Sequence, residues 1–221
     1  MNHEHEFQAY QTFQSKDEFN DFVLLLNEYN IDFETEDYPI NFISDIRNDR
    51  FSHEYIVKLK SEDFSVADKI QEELALEQLE DIPSDYYLFE FTNEELIDIL
   101  EAKDEWSKLD YVLALDILKQ RGITVSDKAL SMIQMERIEK LSEPEKHSPV
   151  WIAIGYTSAA LGGLLGIMIG WHLYNAKKVL PNGERVPVYA QTDRNQGFRI
   201  FVIGIIVLLI AVTIRIVSHV P

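Results

Sequence analysis

The chain of 221 residues has no cysteine. Disulfides, thiolate metal sites and cysteine nucleophiles are therefore excluded. The absence fits a reducing compartment. Glycine-rich phosphate loops, G-x-S-x-G elbows and H-E-x-x-H pairs are also missing. The opening residues, Met1-Asn2-His3-Glu4-His5-Glu6, are acidic and lack the apolar core of a secretory signal peptide. Basic charge is scarce in most of the chain. Residues 151–221 hold six Lys/Arg and two Asp/Glu, which leaves residues 1–150 with 14 of the 20 basic and 36 of the 38 acidic residues, a net −22. Such a surface repels nucleic-acid phosphates and anionic lipid, so no nucleic-acid partner is expected.

What is present divides the chain in two. Residues 7–14 alternate, with Phe7, Ala9 and Phe13 on one face of a strand. Ser15 followed by Glu18 opens a helix as a capping box, and Phe19, Phe22, Val23, Leu26 and Tyr29 form its apolar stripe. Asn30 suits the left-handed residue that ends it. Ile31, Phe33 and Thr35 read as a second strand, 37–53 as a long loop, and Tyr55, Val57 and Leu59 as a third strand. Phe64, Ala67, Ile70 and Leu74 mark a second helix, and 86–91 (Tyr-Tyr-Leu-Phe-Glu-Phe) a fourth strand. The order β-α-β-β-α-β predicts an α+β, ferredoxin-like domain over 1–91. A helical connector over 92–142 follows. It has a capping box at Thr92 and Glu95, a helix within 105–121 stopped by Gly122, and a third helix opened by Ser126. Residues 143–150 read as a juxtamembrane linker.

Residues 151–221 read as a two-helix transmembrane hairpin. Trp151 to Tyr174 contains no Asp, Glu, Lys or Arg, and Phe198 to Val217 is apolar except for Arg199 and Arg215. Each meets the roughly 20 residues needed to span hydrocarbon. Trp151, Trp171 and Tyr174 suit interfacial belts. Ser158, Gly162, Gly166 and Gly170 form a small-xxx-small stripe for close helix packing, either against the second span or between two copies of the chain. Between the spans, Pro181-Asn182-Gly183 predicts a β-hairpin within loop 175–197. That loop forms a basic membrane-surface patch through Lys177, Lys178, Arg185, Arg194 and Arg199. Those five residues stand against Arg137, Lys140, Lys146 and Arg215 on the other side, a near balance under the positive-inside rule. The missing signal peptide decides for an acidic domain and both termini in the cytoplasm, in a multi-pass bacterial inner-membrane protein.

Tyr10-Gln-Thr-Phe13 into Ser15-Lys-Asp-Glu18, then Asn30-Ile31, then Tyr55-Ile-Val-Lys-Leu59 into Glu62-Asp63-Phe64 and Ala67, resemble a prokaryotic signal-transducing protein family likened to the ferredoxin-like PII signal proteins. That family usually has Gly where Asn30 stands, and its strand 2–3 connection is often shorter. Asp85 to Thr92 and on to Gly122, with Glu105-Trp106-Ser107 and Asp110-Tyr111, resembles membrane proteins of Bacteroidetes-type bacteria. The resemblance implies a fold and a signalling role, and it supplies no ligand or catalytic residue.

Candidate chemistry is sparse. Met1-Asn2-His3 could offer a nitrogen set for Cu(II) or Ni(II), but reads first as a tail. Glu72, Glu73, Glu77, Glu80 and Asp81 read as a solvated helix face rather than a cation site. Trp106, Asp110 and Tyr111 could line a small-molecule pocket, although Trp106 reads first as core. His53 has no partner that spacing identifies, and His172 and His219 read as interfacial. The expectation is a non-enzymatic, cofactor-free, metal-free, membrane-anchored module. Its acidic domain would dock a ligand, a protein partner or a second copy, the alternative being an adaptor acting through the basic loop.

Overall fold

The computed structural model describes residues 6–40, 52–145 and 149–218. It divides into two compact units: residues 1–141 with 179–184, and residues 142–178 with 185–221.

In the first unit, β1 (Phe7–Phe13), β2 (Phe33–Ile40) and β3 (Ser52–Lys60) form an antiparallel sheet of order β1-β3-β2. Helix α1 (Lys16–Glu28) lies between β1 and β2, and α2 (Phe64–Gln78) follows β3. Local chemistry sets these boundaries. The Ser15 hydroxyl accepts from the Glu18 amide at the start of α1. Asn30 takes φ 55°, the left-handed conformation that lets the Ile31 amide reach the Leu26 carbonyl at 2.9 Å. Val57 and Leu59, two residues apart on the central strand, point to one face and are fully buried. They pack with Phe13, Phe22, Leu26, Phe64, Ala67 and Ile70.

The predicted fourth strand does not form. Tyr87–Glu90 is a short 3-10 helix, so the sheet has three strands and the ferredoxin-like prediction fails. Only Leu88 of that stretch is fully buried, where a strand would bury alternate residues. The Phe89 and Phe91 amides bond locally, to the Tyr86 and Leu88 carbonyls, rather than to a neighbouring strand. Arg121 accounts for another backbone group, donating to the Phe89 carbonyl at 3.1 Å and to Phe91 at 2.7 Å.

Leu88 belongs instead to a second core with α3 (Asn93–Glu101) and α4 (Lys108–Gln120). Leu96, Ile99, Leu100, Ala114 and Leu118 are fully buried there, and Ala75 of α2 joins them. Thr92 and Glu95 make both halves of their capping box, and Gly122 at φ 84° closes α4. Helix α5 (Asp127–Ser142) has no fully buried residue, although Leu130 packs partly buried against the second core. It is held by polar contacts: Gln134 to the Leu100 carbonyl at 3.0 Å, and Arg137 to Asp104 at 2.8 and 2.9 Å and to Glu105.

The second unit contains α6 (Pro149–Gly162), α7 (Leu164–Asn175) and α8 (Gln191–Val217). A small ribbon, β4 (Lys177–Val179) with β5 (Arg185–Pro187), lies between α7 and α8. The predicted two-span hairpin is overturned here. The uncharged run 151–174 is broken at Gly163, which sits at φ 74°. Helices of 14 and 12 residues result. At ~1.5 Å per residue they measure about 21 and 18 Å, short of a ~30 Å hydrocarbon core. Among the described residues, α8 alone is long and apolar enough to cross a bilayer.

Candidate functional site

Two places concentrate unusual chemistry. One is the surface of α6, α7 and α8; the other is a polar cluster in the N-terminal unit.

The three helices meet through residues that have little or no side chain. Across the break at Gly163 the chain turns back on itself. Gly166 lies against Ala159, and a Cβ placed on Gly155 would come within 3.3 Å of Ile169 Cγ2. In one continuous helix residues 155 and 169 would be about 21 Å apart, so α6 and α7 form an antiparallel pair. Helix α8 then runs antiparallel to α7. A Cβ on Gly163 would lie 2.7 Å from the Gly204 carbonyl, one on Gly170 2.6 Å from the Gly197 carbonyl, and one on Gly197 2.6 Å from Leu173 Cβ. Tyr156 donates to Gln196 Oε1 at 2.6 Å, fixing the middle of α6 beside the first turns of α8.

The predicted packing stripe is split by this geometry. Gly166 and Gly170 sit in the contact, Ser158 is half-buried, and Gly162 has open space where its Cβ would be. The residues that complete the contact are Gly155, Ala159, Gly163, Gly197 and Gly204. The Gly162-Gly163 pair was the available signal, since paired glycines punctuate helices.

Outside those contacts the surface is apolar and open. Leu161 is 89% exposed, and Leu164, Leu165, Met168, Trp171, Phe198, Ile206, Leu209 and Ile214 are exposed as well. Only 11% of the most apolar 18-residue window of α8 is buried. From Leu209 to Val217 every residue of α8 is exposed. A patch of this kind marks an interaction surface.

The basic loop residues gather at the other end of α8. Arg194 is held in place, donating to the Tyr174 carbonyl at 3.1 Å and to Gln191 at 3.2 Å with its guanidinium 5.5 Å from the Tyr174 ring centroid. Lys178 donates to the Glu143 carbonyl at 2.9 Å. Lys177, Arg185 and Arg199 are exposed. His172 Nε2 lies 3.4 Å from the Tyr189 hydroxyl. The predicted turn at Pro181-Asn182-Gly183 forms, with Gly183 at φ 80° and the Leu180 amide bonded to the Glu184 carbonyl at 2.8 Å.

In the N-terminal unit, Asp68 of α2 is the hub of a cluster absent from the sequence reading. Its carboxylate accepts from Tyr10 of β1 and from Lys108 of α4, each at 2.6 Å, with Lys103 at 3.9 Å. Lys103 also pairs with Glu72 and lies 5.0 Å from the Tyr111 ring centroid. Gln71 donates to the Tyr10 hydroxyl at 2.7 Å. Burial, with the Asp68 charge second, pushes the Tyr10 phenol far above its ordinary range. Burial pushes Tyr111 up to about 12, with Glu72 and Asp68 adding to it. Glu72 thus leaves the predicted solvated face, while Glu73, Glu77, Glu80 and Asp81 remain exposed.

Trp106 packs on the second core and makes an edge contact with Phe91. Asp110 is buried and satisfied by Tyr86 at 2.8 Å and Ser107 at 2.7 Å. The Asp110 site is a closed network with its hydrogen bonds matched, whereas in the Asp68 cluster the buried Glu72 Oε1 has the Lys103 ammonium as its ion partner and accepts no hydrogen bond. Among the described residues, no group of three or more His, Asp or Glu is placed to hold a metal ion. Met1-Asn2-His3, with its expected copper or nickel nitrogen set, and His219, expected at the interface, lie outside the described residues, as does the side chain of His53.

No family model, curated protein or solved structure matches this chain.

Proposed function

We propose that this protein is a non-enzymatic, membrane-anchored binding module. Helix α8 crosses the bilayer, and the acidic N-terminal unit docks a ligand or a protein partner. The observation that carries the reading is the exposure of α8. A 27-residue helix of high mean hydropathy, with nine consecutive exposed residues at its end, costs too much free energy in water to stand uncovered. Hydrocarbon supplies the cover, and the 20 residues from Phe198 to Val217 reach about 30 Å. The binding role rests on the strong negative charge of residues 1–150 and on the engagement of Asp68 and Asp110, among the described residues, in internal hydrogen bonds. The reading includes a bacterial cytoplasmic-membrane location with the acidic unit inside.

Two measurements test this. The chain should stay in the membrane pellet after alkaline carbonate extraction, and release into the supernatant would overturn the anchor. Purified in mild detergent, it should bring a stoichiometric partner or run as a defined oligomer. A monomer with nothing bound would overturn the docking role. The second reading, an adaptor acting through the basic loop, predicts that neutralising Lys177, Lys178, Arg185, Arg194 and Arg199 together abolishes partner capture while capture survives deletion of residues 1–80.

A further inference from the structure

We propose that α6 and α7 form a re-entrant hairpin. It dips into one leaflet beside the α8 span, leaves the bilayer on the face it entered, and is clothed on its outer side by acyl chains of that leaflet. This rests on the reading of α8 as the membrane span.

Four observations carry it. The first is length: neither helix reaches across hydrocarbon, and the two fold back on one another at Gly163 instead of continuing. The second is depth. The turn lies beside Gly204 and Leu208 of α8, and α8 runs nine residues further, about 14 Å, without α6 or α7 beside it. The turn therefore stops near the middle of the apolar stretch of α8.

The third is backbone satisfaction. Non-helical backbone at membrane depth is tolerated only where protein covers it. Gly163, the single residue between the two helices, is buried against α8. Its amide donates to the Ala159 carbonyl at 3.2 Å and its carbonyl accepts from the Ile167 amide at 2.9 Å. Leu161, Leu164, Leu165 and Met168 around it point outward and carry no polar group that would need water.

The fourth is that the chain enters and leaves this pair at one end. Before α6, the Glu145 amide donates to the Val188 carbonyl at 2.7 Å, and Lys178 after α7 donates to the Glu143 carbonyl. Residues 143–145, ahead of α6, are thus tied to the loop between α7 and α8.

This arrangement removes the near balance in the positive-inside count. Arg137, Lys140 and Lys146 join Lys177, Lys178, Arg185, Arg194 and Arg199 on one face, while Arg215 sits at the far end of α8. Eight basic residues near the helix ends then mark the cytoplasmic face, against one at the opposite end. The acidic unit and the inter-helix loop share the cytoplasmic side, and residue 218 lies outside.

Because the chain has no cysteine, single-cysteine variants of the full-length protein decide this. Thr124→Cys, Asn182→Cys and Ser218→Cys are placed separately and probed with a membrane-impermeant maleimide in sealed vesicles of known orientation. The expected result is that 124 and 182 label together from the cytoplasmic face and 218 labels from the other. Labelling of 124 and 218 together with 182 opposite means that α6–α7 crosses the membrane, which overturns the hairpin and leaves the anchor standing. All three on one face of carbonate-resistant vesicles overturns both the hairpin's depth and the α8 span. Release of the chain by carbonate overturns the anchor itself. A fourth variant, Leu161→Cys, should resist the maleimide from both faces until detergent is added, and labelling from the residue-218 face would overturn the half-depth turn.

Discussion

In the N-terminal unit the contacts are made by bulk. Leu26, Val57, Leu59, Leu96, Ile99, Leu100 and Leu118 are at most 1% exposed, and residues 1–121 contain no glycine. In the second unit the contacts are made by lack of bulk. Gly155, Gly163, Gly166, Gly170, Gly197 and Gly204 let the helices approach closely around a small core of Leu173 and Ile200, and many of the other large side chains face outward. The first pattern is what water selects, since burying apolar area is the driving force there. The second suits a solvent as apolar as the side chains themselves, where helices gain more from backbone proximity than from hiding leucine. One chain thus carries two packing rules, and the change falls near residue 142.

That contrast can be broken most sharply from the bulky side. Leu118→Ala removes a fully buried side chain from the second core and should cost about 2–5 kcal/mol. Chemical denaturation followed in detergent should show the transition of the N-terminal unit moving while that of the helical unit stays. A shift of both together would mean the two rules are not independent.

A pH titration probes the same unit without creating a cavity. Folding holds the Tyr111 phenol neutral, up to about 12 against about 10 in the unfolded chain. The unfolded state loses that proton first, so the stabilisation is complete below pH 10 and declines as pH rises from 10 to 12. At ~1.4 kcal/mol per pKa step, this difference sets a loss of at most roughly 3 kcal/mol. Tyr111→Phe should flatten that decline in a melt series, and an unchanged slope would remove Tyr111 as its source.

The helical unit is tested by adding a methyl group rather than removing one. Gly170→Ala places a Cβ 2.6 Å from the Gly197 carbonyl, where only backbone can yield, and should cost about 1–3 kcal/mol. Gly162→Ala meets open space and should be neutral or gain up to about 1 kcal/mol from helix propensity. Thermal melts of the pair in detergent separate a backbone contact from a general intolerance of side chains; equal losses would defeat the packing argument.

How much of this was legible follows the range of each interaction. Ser15, Asn30, the Thr92–Glu95 box and Gly122 act on their own helix ends, so sequence alone located them. The 86–91 stretch misled because its aromatic residues favour strands, whereas the partners of Leu88 and Tyr86 lie on α3 and α4, beyond any local pattern. The first apolar run misled for a different reason. Hydropathy sums side chains and cannot register a backbone dihedral, so the positive φ at Gly163 left no trace in it. The Asp68 cluster joins residues from β1, α2, the 103–105 turn and α4, and no spacing rule assembles it.

That cluster bears on how such a protein can be inherited. Tyr10, Asp68 and Glu72 lie on one side of residue 91, and Lys103, Lys108 and Tyr111 on the other. A gene fusion that cut at 91 would carry off two carboxylates without their cations and open the face of α2 that Ala75 presents to the second core. The smallest piece that evolution could pass intact to another protein therefore includes α4. The sheet, for all its resemblance to a free-standing domain, travels only with its helices.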